Sequence, residues 1–468
     1  MTVTVGKSGA LPQRLAEAGV QLDLRCGGNG TCGRCRVVLK SGDWEVDGAP
    51  VATPTHARAC RTRLVRGVGV VDVPRSSLLE AGGGGQISDG WRIGRALPDN
   101  REPVVAIDLG TTSIAAAKLV HGKVVARASA YNPQMKYGDN VVTRISHAAA
   151  GGLEPMRQTV VEGLRALLRE LGMDGVARIA VAGNTVMSCI LHGVNPESIG
   201  VMPFTPPTRR FPVAHDLVEG VPVHTMPSIS GYIGGDLCAG LHETALAAGE
   251  MLVDIGTNCE IILATQAGYV CAAAAAGPAF EGAGLSSGSR AVPGAMDHYH
   301  GEGGFTVIGG GASPDGLCGS AIVDFVAVER RSGRLNRVGR FDPPVAEFAV
   351  APGIAINEKD LEQVLKAKAA VWAGIKTLED HCGVAASRIY LAGGFAQHLD
   401  VPNAVAIGML PARDYVIAGN TCLAGAARLA CDPATLREFD ALSDLPEEVP
   451  LNTLPSFEDN YIDGLLLP

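Results

Sequence analysis

The stretch "VVAIDLGTTSIAAAKLVHGKVV", residues 104–125, reads as an apolar strand, a turn of Asp, Gly and two Thr, and two further strands around a short Gly turn. A second stretch, "MLVDIGTNCEIILATQAGYVCA" at 251–272, follows the same plan, with Asp254 standing 146 positions after Asp108. A repeat at that distance predicts two similarly folded halves facing each other across a cleft. Neither turn is a Walker loop. Each instead offers backbone N–H groups and hydroxyls (Thr111, Thr112, Thr257) suited to cradling phosphate oxygens. The two aspartates, facing across the cleft, suit the water shell of a Mg²⁺ ion. One such turn alone is weak evidence, because hairpins commonly use these residues; two in register carry more weight.

Around these turns, apolar strands alternate with helical segments such as "EPMRQTVVEGLRALLRELG" and "KDLEQVLKAKAAVWAGIKTLEDHCG", which argues for α/β architecture. The second of these, 359–381, reads as an outer packing helix with a solvated Lys/Glu face. "IYLAGGFAQH" (389–398) is a strand ending in Gly393-Gly394, where a nucleotide's sugar and base can approach the backbone. "GPAFEGAGLSSGSRA" (277–291) is a glycine-rich loop whose Glu281 either senses nucleotide and metal or simply rides on a crossover. His298 and His300 share a strand face without a third metal ligand and read as an exposed hairpin.

Upstream, the chain changes character. In "RCGGNGTCGRC" (25–35), Cys26, Cys32 and Cys35 follow C-x5-C-x2-C, and Cys60 in "HARAC" comes after 24 intervening residues. Four thiolates suit tetrahedral zinc or an iron–sulfur cluster, and the solitary fourth cysteine departs from the paired C-x2-C of zinc ribbons. Gly27, Gly28, Gly30 and Gly33 let the loop wrap closely around inorganic sulfides. The other eight cysteines, Cys318 among them, lie among Ala, Gly and Leu and read as buried apolar thiols.

Charge divides the chain in the same place. Residues 1–75 carry eleven Lys and Arg against six acids, or +5, which leaves −14 for the rest of a chain whose net charge is −9. Such asymmetry supports a domain boundary, and the overall negative charge argues against nucleic acid as a partner. The segment 76–103, with its glycine run and paired prolines, reads as a linker between a domain at 1–75 and another at 104–468. With no basic-then-apolar leader and no apolar run near 18 residues, a cytoplasmic protein without a membrane partner is expected. Its 12 cysteines are then metal ligands or buried thiols rather than disulfides.

Three resemblances sharpen this. "CGGNGTCGRCRV" followed by "ARAC" resembles a ferredoxin-type 2Fe-2S domain of the β-grasp fold. This implies Cys26, Cys32, Cys35 and Cys60 as cluster ligands and, since few residues precede Cys26, an abbreviated first hairpin. Asp108-Leu-Gly110-Thr111-Thr112, Asp254-Ile-Gly256-Thr257-Asn258 and Ala392-Gly393-Gly394-Phe395 resemble the two phosphate motifs and the adenosine motif of the actin, sugar-kinase and heat-shock-chaperone ATPases. That implies a two-lobed, duplicated ribonuclease-H-like fold holding ATP and Mg²⁺. It also implies a catalytic role for Asp236 in "GYIGGDLCAG", orienting or deprotonating the water that attacks the γ-phosphate, although an Asp after two glycines also suits a helix N-cap.

The combination resembles the reductive activators of corrinoid proteins, also called methyltransferase corrinoid activation proteins. "AGNTVM", "GPAFEGA", "LCGSAIVD" and the ending "FEDNYIDGLLLP" match them too. The resemblance implies that ATP supplies driving force for returning a Co(II) corrinoid protein to Co(I), because ferredoxin-type clusters near about −400 mV are insufficiently reducing. A low-potential electron donor is implied as well. Larger members carry a middle domain associated with dimerisation, and 76–103 is too short to hold it, so the oligomeric state stays open. The alternative is a small-molecule, sugar-type kinase with a regulatory cluster, which would keep Asp236 and need an acceptor pocket.

Overall fold

The computed structural model describes residues 1–24, 28, 30, 35–74, 77–78, 90–91, 94–138, 140–218, 220–311 and 313–468. Cys26, Cys32, Gly27 and Gly33 lie outside them. At the N-terminus, strict alternation in β1 (Thr2–Val5) turns Val3 and Val5 inward. β2 (Gly9–Ala10) leads into α1 (Leu11–Glu17), whose Leu11 and Leu15, four apart, are fully buried. β3 (Arg36–Val46), β4 (Ala49–Val51), β5 (Thr55–Arg58) and β6 (Thr62–Asp72) complete a sheet of order β1-β6-β3-β4, with β2 on β6 and β5 on β3. β1 and β2 both pair with β6 and not with each other, so the first hairpin is indeed cut short.

The first lobe holds β7 (Val104–Leu109), β8 (Ser113–Val120), β9 (Lys123–Tyr131), α2 (Val141–His147), α3 (Leu153–Leu171), β10 (Arg178–Gly183), α4 (Thr185–Leu191) and β11 (Val223–Thr225), and ends in α5 (Gly235–Thr244). Its sheet runs β11-β10-β7-β8-β9: three antiparallel strands from β7 to β9, then β10 and β11 parallel to β7.

The second lobe repeats that plan. β12 (Glu250–Ile255), β13 (Cys259–Thr265) and β14 (Gly268–Ala274) are antiparallel. β15 (Ala295–Gly301), β16 (Gly304–Val307) and β17 (Gly316–Leu317) form a small separate sheet before α6 (Gly319–Arg331) and the hairpin of β18 (Phe348–Ala351) and β19 (Ile354–Ile356). After α7 (Glu358–Cys382), β20 (Arg388–Ala392) joins β12 in parallel. Following α8 (Val401–Ala406), β21 (Asp414–Gly419) joins β20 the same way. The chain ends with α9 (Thr421–Cys431), α10 (Leu436–Ser443), β22 (Glu447–Glu448) and α11 (Ser456–Leu465). The 146-residue repeat is therefore a duplicated sheet, with Asp108 and Asp254 near the ends of equivalent strands. α5 and α9 pack in a core shared by both sheets, so the cleft closes over a common floor.

Two expectations need correction. α7 keeps a solvated Lys/Glu edge at Glu362 and Lys366 but is not an outer helix: α11 lies along it, and Lys368 is fully buried. The Lys368 ammonium donates to Gly464 O (2.5 Å) and Leu466 O (2.8 Å), and burial pulls its pKa down to about 7. Helical periodicity within 359–381 could not reveal a cover supplied 96 residues after Lys368. Nor are the described residues of the 76–103 segment a loose tether. Gly90 O accepts from Asn420 N (2.9 Å), Arg95 O accepts from Arg428 (2.9 Å), and the Asn100 side chain caps the β8–β9 turn at Gly122 N (2.7 Å). This stretch is strapped across both lobes.

Candidate functional site

The turn after β7 and the turn after β12 face one another across a cavity of about 180 Å³. Asp108, Gly110, Thr111, Thr112, Asp254, Gly256, Thr257, Asn258, Gly393, Gly394 and Asp236 all line it. Gly393, with φ +91°, approaches so closely that a Cβ there would sit 2.5 Å from Asp254 Oδ1. Asp236 is the second residue of α5, not its N-cap: Gly234 occupies the cap without a side-chain bond, and Asp236 Oδ1 accepts from Leu237 N (2.9 Å). Gly234 must lack a side chain because its Cβ would fall 2.4 Å from Asn184 Cα. That close approach presses the start of α5 against the first lobe and aims Asp236 into the cleft.

Three aspartates and Glu260 converge here. Each is half-buried, with one face to the cavity. Burial first, then the neighbouring charge of Asp108, pushes Asp236 up to about 7; burial and the charges of Asp236 and Asp108 push Asp254 up to about 7. Glu260, the cross-strand partner of Asp254, is pushed well above the usual carboxylate range by burial and the charges of Asp236 and Asp254. Asp108 is raised by burial, while Cys422 Sγ (3.1 Å) and Asn420 Nδ2 (2.7 Å) donate to its two oxygens and oppose the rise. Carboxylates held together against their own repulsion are a donor set for a hydrated divalent cation, so Mg²⁺ fits this chemistry.

Several residues here were missed in the sequence. Asn184 caps α4 through Met187 N (3.0 Å) and donates to Thr111 Oγ1 (2.9 Å). Asn420 caps α9 through Leu423 N (2.7 Å) and donates to Asp108. The shared tetrapeptide Ala-Gly-Asn-Thr, at 182–185 and 418–421, was the available signal. Cys422, expected among inert buried thiols, is buried yet faces Asp108. Glu281 also joins the two turns: its carboxylate accepts from Thr257 (2.7 Å) and Thr112 (3.3 Å).

A second cavity, of about 200 Å³, adjoins the first and shares Thr112, Gly256, Glu281 and Gly394 with it. Phe280 and Phe395, stacked with ring centroids 4.9 Å apart, and Arg290 contribute to its wall. His298 and His300 do lie on a hairpin, with rings 6.4 Å apart, and His298 is half-buried. Its Nδ1 meets Asp324 (2.8 Å), which raises its pKa. Among the described residues no three His, Cys, Asp or Glu side chains stand close enough to ligate a metal ion directly, so the cleft carboxylates suit a cation only through its water shell.

Of the four thiols assigned to a cluster, Cys35 and Cys60 are described. Cys60 N points at Cys35 Sγ (3.4 Å), and Cys35 is buried in the domain core. The position of a Cβ on Gly28 would come within 4.0 Å of Cys60 Cβ, so this glycine lies beside the Cys60 side chain. Two thiols brought together at the domain core with a glycine beside them fit one side of an iron–sulfur site.

Comparison with known proteins agrees with this geometry. The C-terminal domain of RACo, described as the ASKHA domain, matches residues 249–468, and the RACo middle region matches 104–249. A 2Fe-2S iron-sulfur cluster binding domain matches 1–65. The corrinoid activation enzyme RamQ of Eubacterium limosum is 28% identical, over 80% of this chain and 73% of that protein. The Co(II) methylated amine-specific corrinoid protein reductase of Methanosarcina barkeri is 27% identical over 64% of each chain. The solved structure titled reductive activator for corrinoid,iron-sulfur protein shares the fold, with a TM-score of 0.71 at 23% identity, covering 98% of this chain and 95% of that one. The middle region expected to be missing is thus present, as the first lobe itself. No helix of the described residues is long and apolar enough to cross a membrane.

Proposed function

The chain belongs to the RACo family, the reductive activators of corrinoid proteins, and we propose that it is the ATP-dependent activator of a methyltransferase system's corrinoid protein, returning Co(II) to Co(I). The observation that carries this reading is the pairing, in one chain, of converging domain-core thiols with a cleft lined by two phosphate turns. A 2Fe-2S cluster, when bound by Cys26, Cys32, Cys35 and Cys60, supplies one-electron transfer at low potential, fed by a low-potential donor in the cytoplasm.

The protein's own residues do the rest. Thr111, Thr112, Thr257, Asn258 and the turn N–H groups hold the ATP phosphates; Gly393 and Gly394 admit the adenosine end toward the Phe280–Phe395 wall. Asp254 and Asp108 would hold the water shell of a Mg²⁺ ion, which would offset phosphate charge. Asp236, whose Oδ1 accepts from Leu237 N, takes the proton of the water that attacks the γ-phosphate as the β–γ bridging bond breaks. A pKa pushed up to about 7 suits a group that must accept and then release a proton near neutrality.

The test combines the protein, ATP, Mg²⁺, a reductant and a Co(II) corrinoid protein while the visible spectrum is followed. Co(I) absorbance that requires ATP supports the reading. Co(I) formed equally without ATP, or a phosphorylated small molecule as the product, overturns it.

A further inference from the structure

The loop between Phe280 and Ala291 touches the phosphate turns at one end and the N-terminal domain at the other. At the near end Glu281 is bonded to Thr112 of the first lobe and Thr257 of the second. At the far end the Arg290 guanidinium pairs with Asp23, two residues before Arg25, while stacking 3.9 Å over the Tyr131 ring of the first lobe. That ion pair is buried, with side-chain exposures of 11% for Arg290 and 4% for Asp23. Arg36, the neighbour of Cys35, donates to the carbonyl of Ser286 at the loop's tip. Both attachments of the N-terminal domain therefore flank its cysteine loop.

The loop's two ends are packed backbone to backbone. A Cβ on Gly282 would fall 2.1 Å from Ser289 O, and one on Gly288 would fall 2.3 Å from Gly282 O. With no side chain to cushion that contact, a displacement of Glu281 is passed to Ser289 and Arg290. Nucleotide phosphates would compete for the same threonine hydroxyls and repel the Glu281 carboxylate. Arg290 also lines the adjoining cavity, so an occupant there acts on it directly.

We propose that this loop is a latch: in the nucleotide-free protein Arg290 and Ser286 hold the N-terminal domain docked through Asp23 and Arg36, and ATP binding, by expelling Glu281 from the phosphate turns, releases it toward the corrinoid partner. The proposal rests on the ATPase reading above. Glu281 and Arg290 are positioning residues in it; neither performs the chemistry. Release and nucleotide binding are linked, so whatever weakens docking must tighten nucleotide binding by the same factor.

The experiment uses the full chain with its cluster intact and the ATP analogue AMPPNP with Mg²⁺. In the wild type, saturating AMPPNP enlarges the radius of gyration measured by small-angle scattering. Asp23→Ala is enlarged already without nucleotide, shows no further increase, and binds AMPPNP several-fold more tightly; Asp23→Glu restores the wild-type response. The visible absorption of the cluster shows that each variant is folded, and Arg290→Ala, on the other side of the same ion pair, gives the same scattering result should Asp23→Ala lose its cluster. A wild type that binds AMPPNP without changing size, or an Asp23→Ala protein that stays compact and responsive, overturns the latch alone. A wild type that binds no AMPPNP overturns the ATPase reading and the latch with it.

Discussion

The two phosphate turns grow from equivalent strands and share their Asp-apolar-Gly-Thr sequence, yet the fold has given their aspartates different surroundings. Both oxygens of Asp108 accept hydrogen bonds, from Asn420 and Cys422 at the start of α9. Asp254 receives no side-chain donor among the described residues and stands opposite Glu260 and close to Asp236, with burial and charge repulsion both raising its pKa. The difference arises because α9 leaves the second lobe and packs on the first-lobe sheet, whereas no equivalent asparagine reaches back to Asp254. A duplicated motif thus holds one aspartate braced by side-chain donors and one without such a donor among the described residues. The difference in surroundings came from packing, not from the motif.

The largest effect expected lies outside both turns, at the residue between them. Asp236→Asn should still bind Mg-AMPPNP, since the turns are intact, while ATP turnover falls by about 10²–10⁴-fold. Equal turnover by wild type and variant would reduce Asp236 to a helix-start residue.

The comparison itself is tested next. Asp254→Asn should weaken Mg-AMPPNP binding by roughly 10–100-fold and blunt its dependence on Mg²⁺ concentration, as loss of a charged ligand contact predicts. Asp108→Asn should cost less in affinity and more in unfolding free energy, about 1–3 kcal/mol, because the donors on Asn420 and Cys422 lose their acceptor charge. Identical binding losses in the two variants would remove the asymmetry.

A pH series sharpens it further. Asp236 and Asp254 are raised from 3.8 to about 7, so the folded, nucleotide-free protein holds protons that the unfolded chain has released. Their contribution to stability is present below pH 4 and is lost as pH rises through about 7. The melting temperature of the nucleotide-free protein should therefore fall between pH 5 and 8, and Mg-AMPPNP should raise it more at pH 8 than at pH 6. A flat profile in Asp254→Asn would assign the slope to this cluster; an unchanged one would not.

The smallest effects concern the braces. Asn184→Ala and Asn420→Ala should each cost about 1 kcal/mol of stability through loss of a helix cap. Chemical denaturation measures this, and Asn420→Ala should also draw Asp108 toward the behaviour of Asp254, narrowing the affinity gap between the two aspartate variants.

Consecutive residues carried the duplicated strand-turn-strand plan, the phosphate turns and the spacing of Cys35 and Cys60, because strand period and turn chemistry act over a few neighbours. Asp236 was legible as a helix-start residue, though its place inside the helix rather than at the cap depended on Gly234 meeting Asn184. Glu260 and Cys422 were silent, and Asn184 and Asn420 were marked only by the repeated Ala-Gly-Asn-Thr. Capping by an asparagine is local, but what its remaining amide group touches is set by how the lobes close, here across 312 residues in the case of Asn420 and Asp108. The covering of α7 by α11 and the seating of the N-terminal domain on the 280–291 loop were likewise settled only when distant segments met. Sequence alone determined which local pieces could hold phosphate and thiol-bound metal. Tertiary structure decided which carboxylates share a cleft and which of them is braced, since burial and charge repulsion depend on separations in space that chain order does not encode.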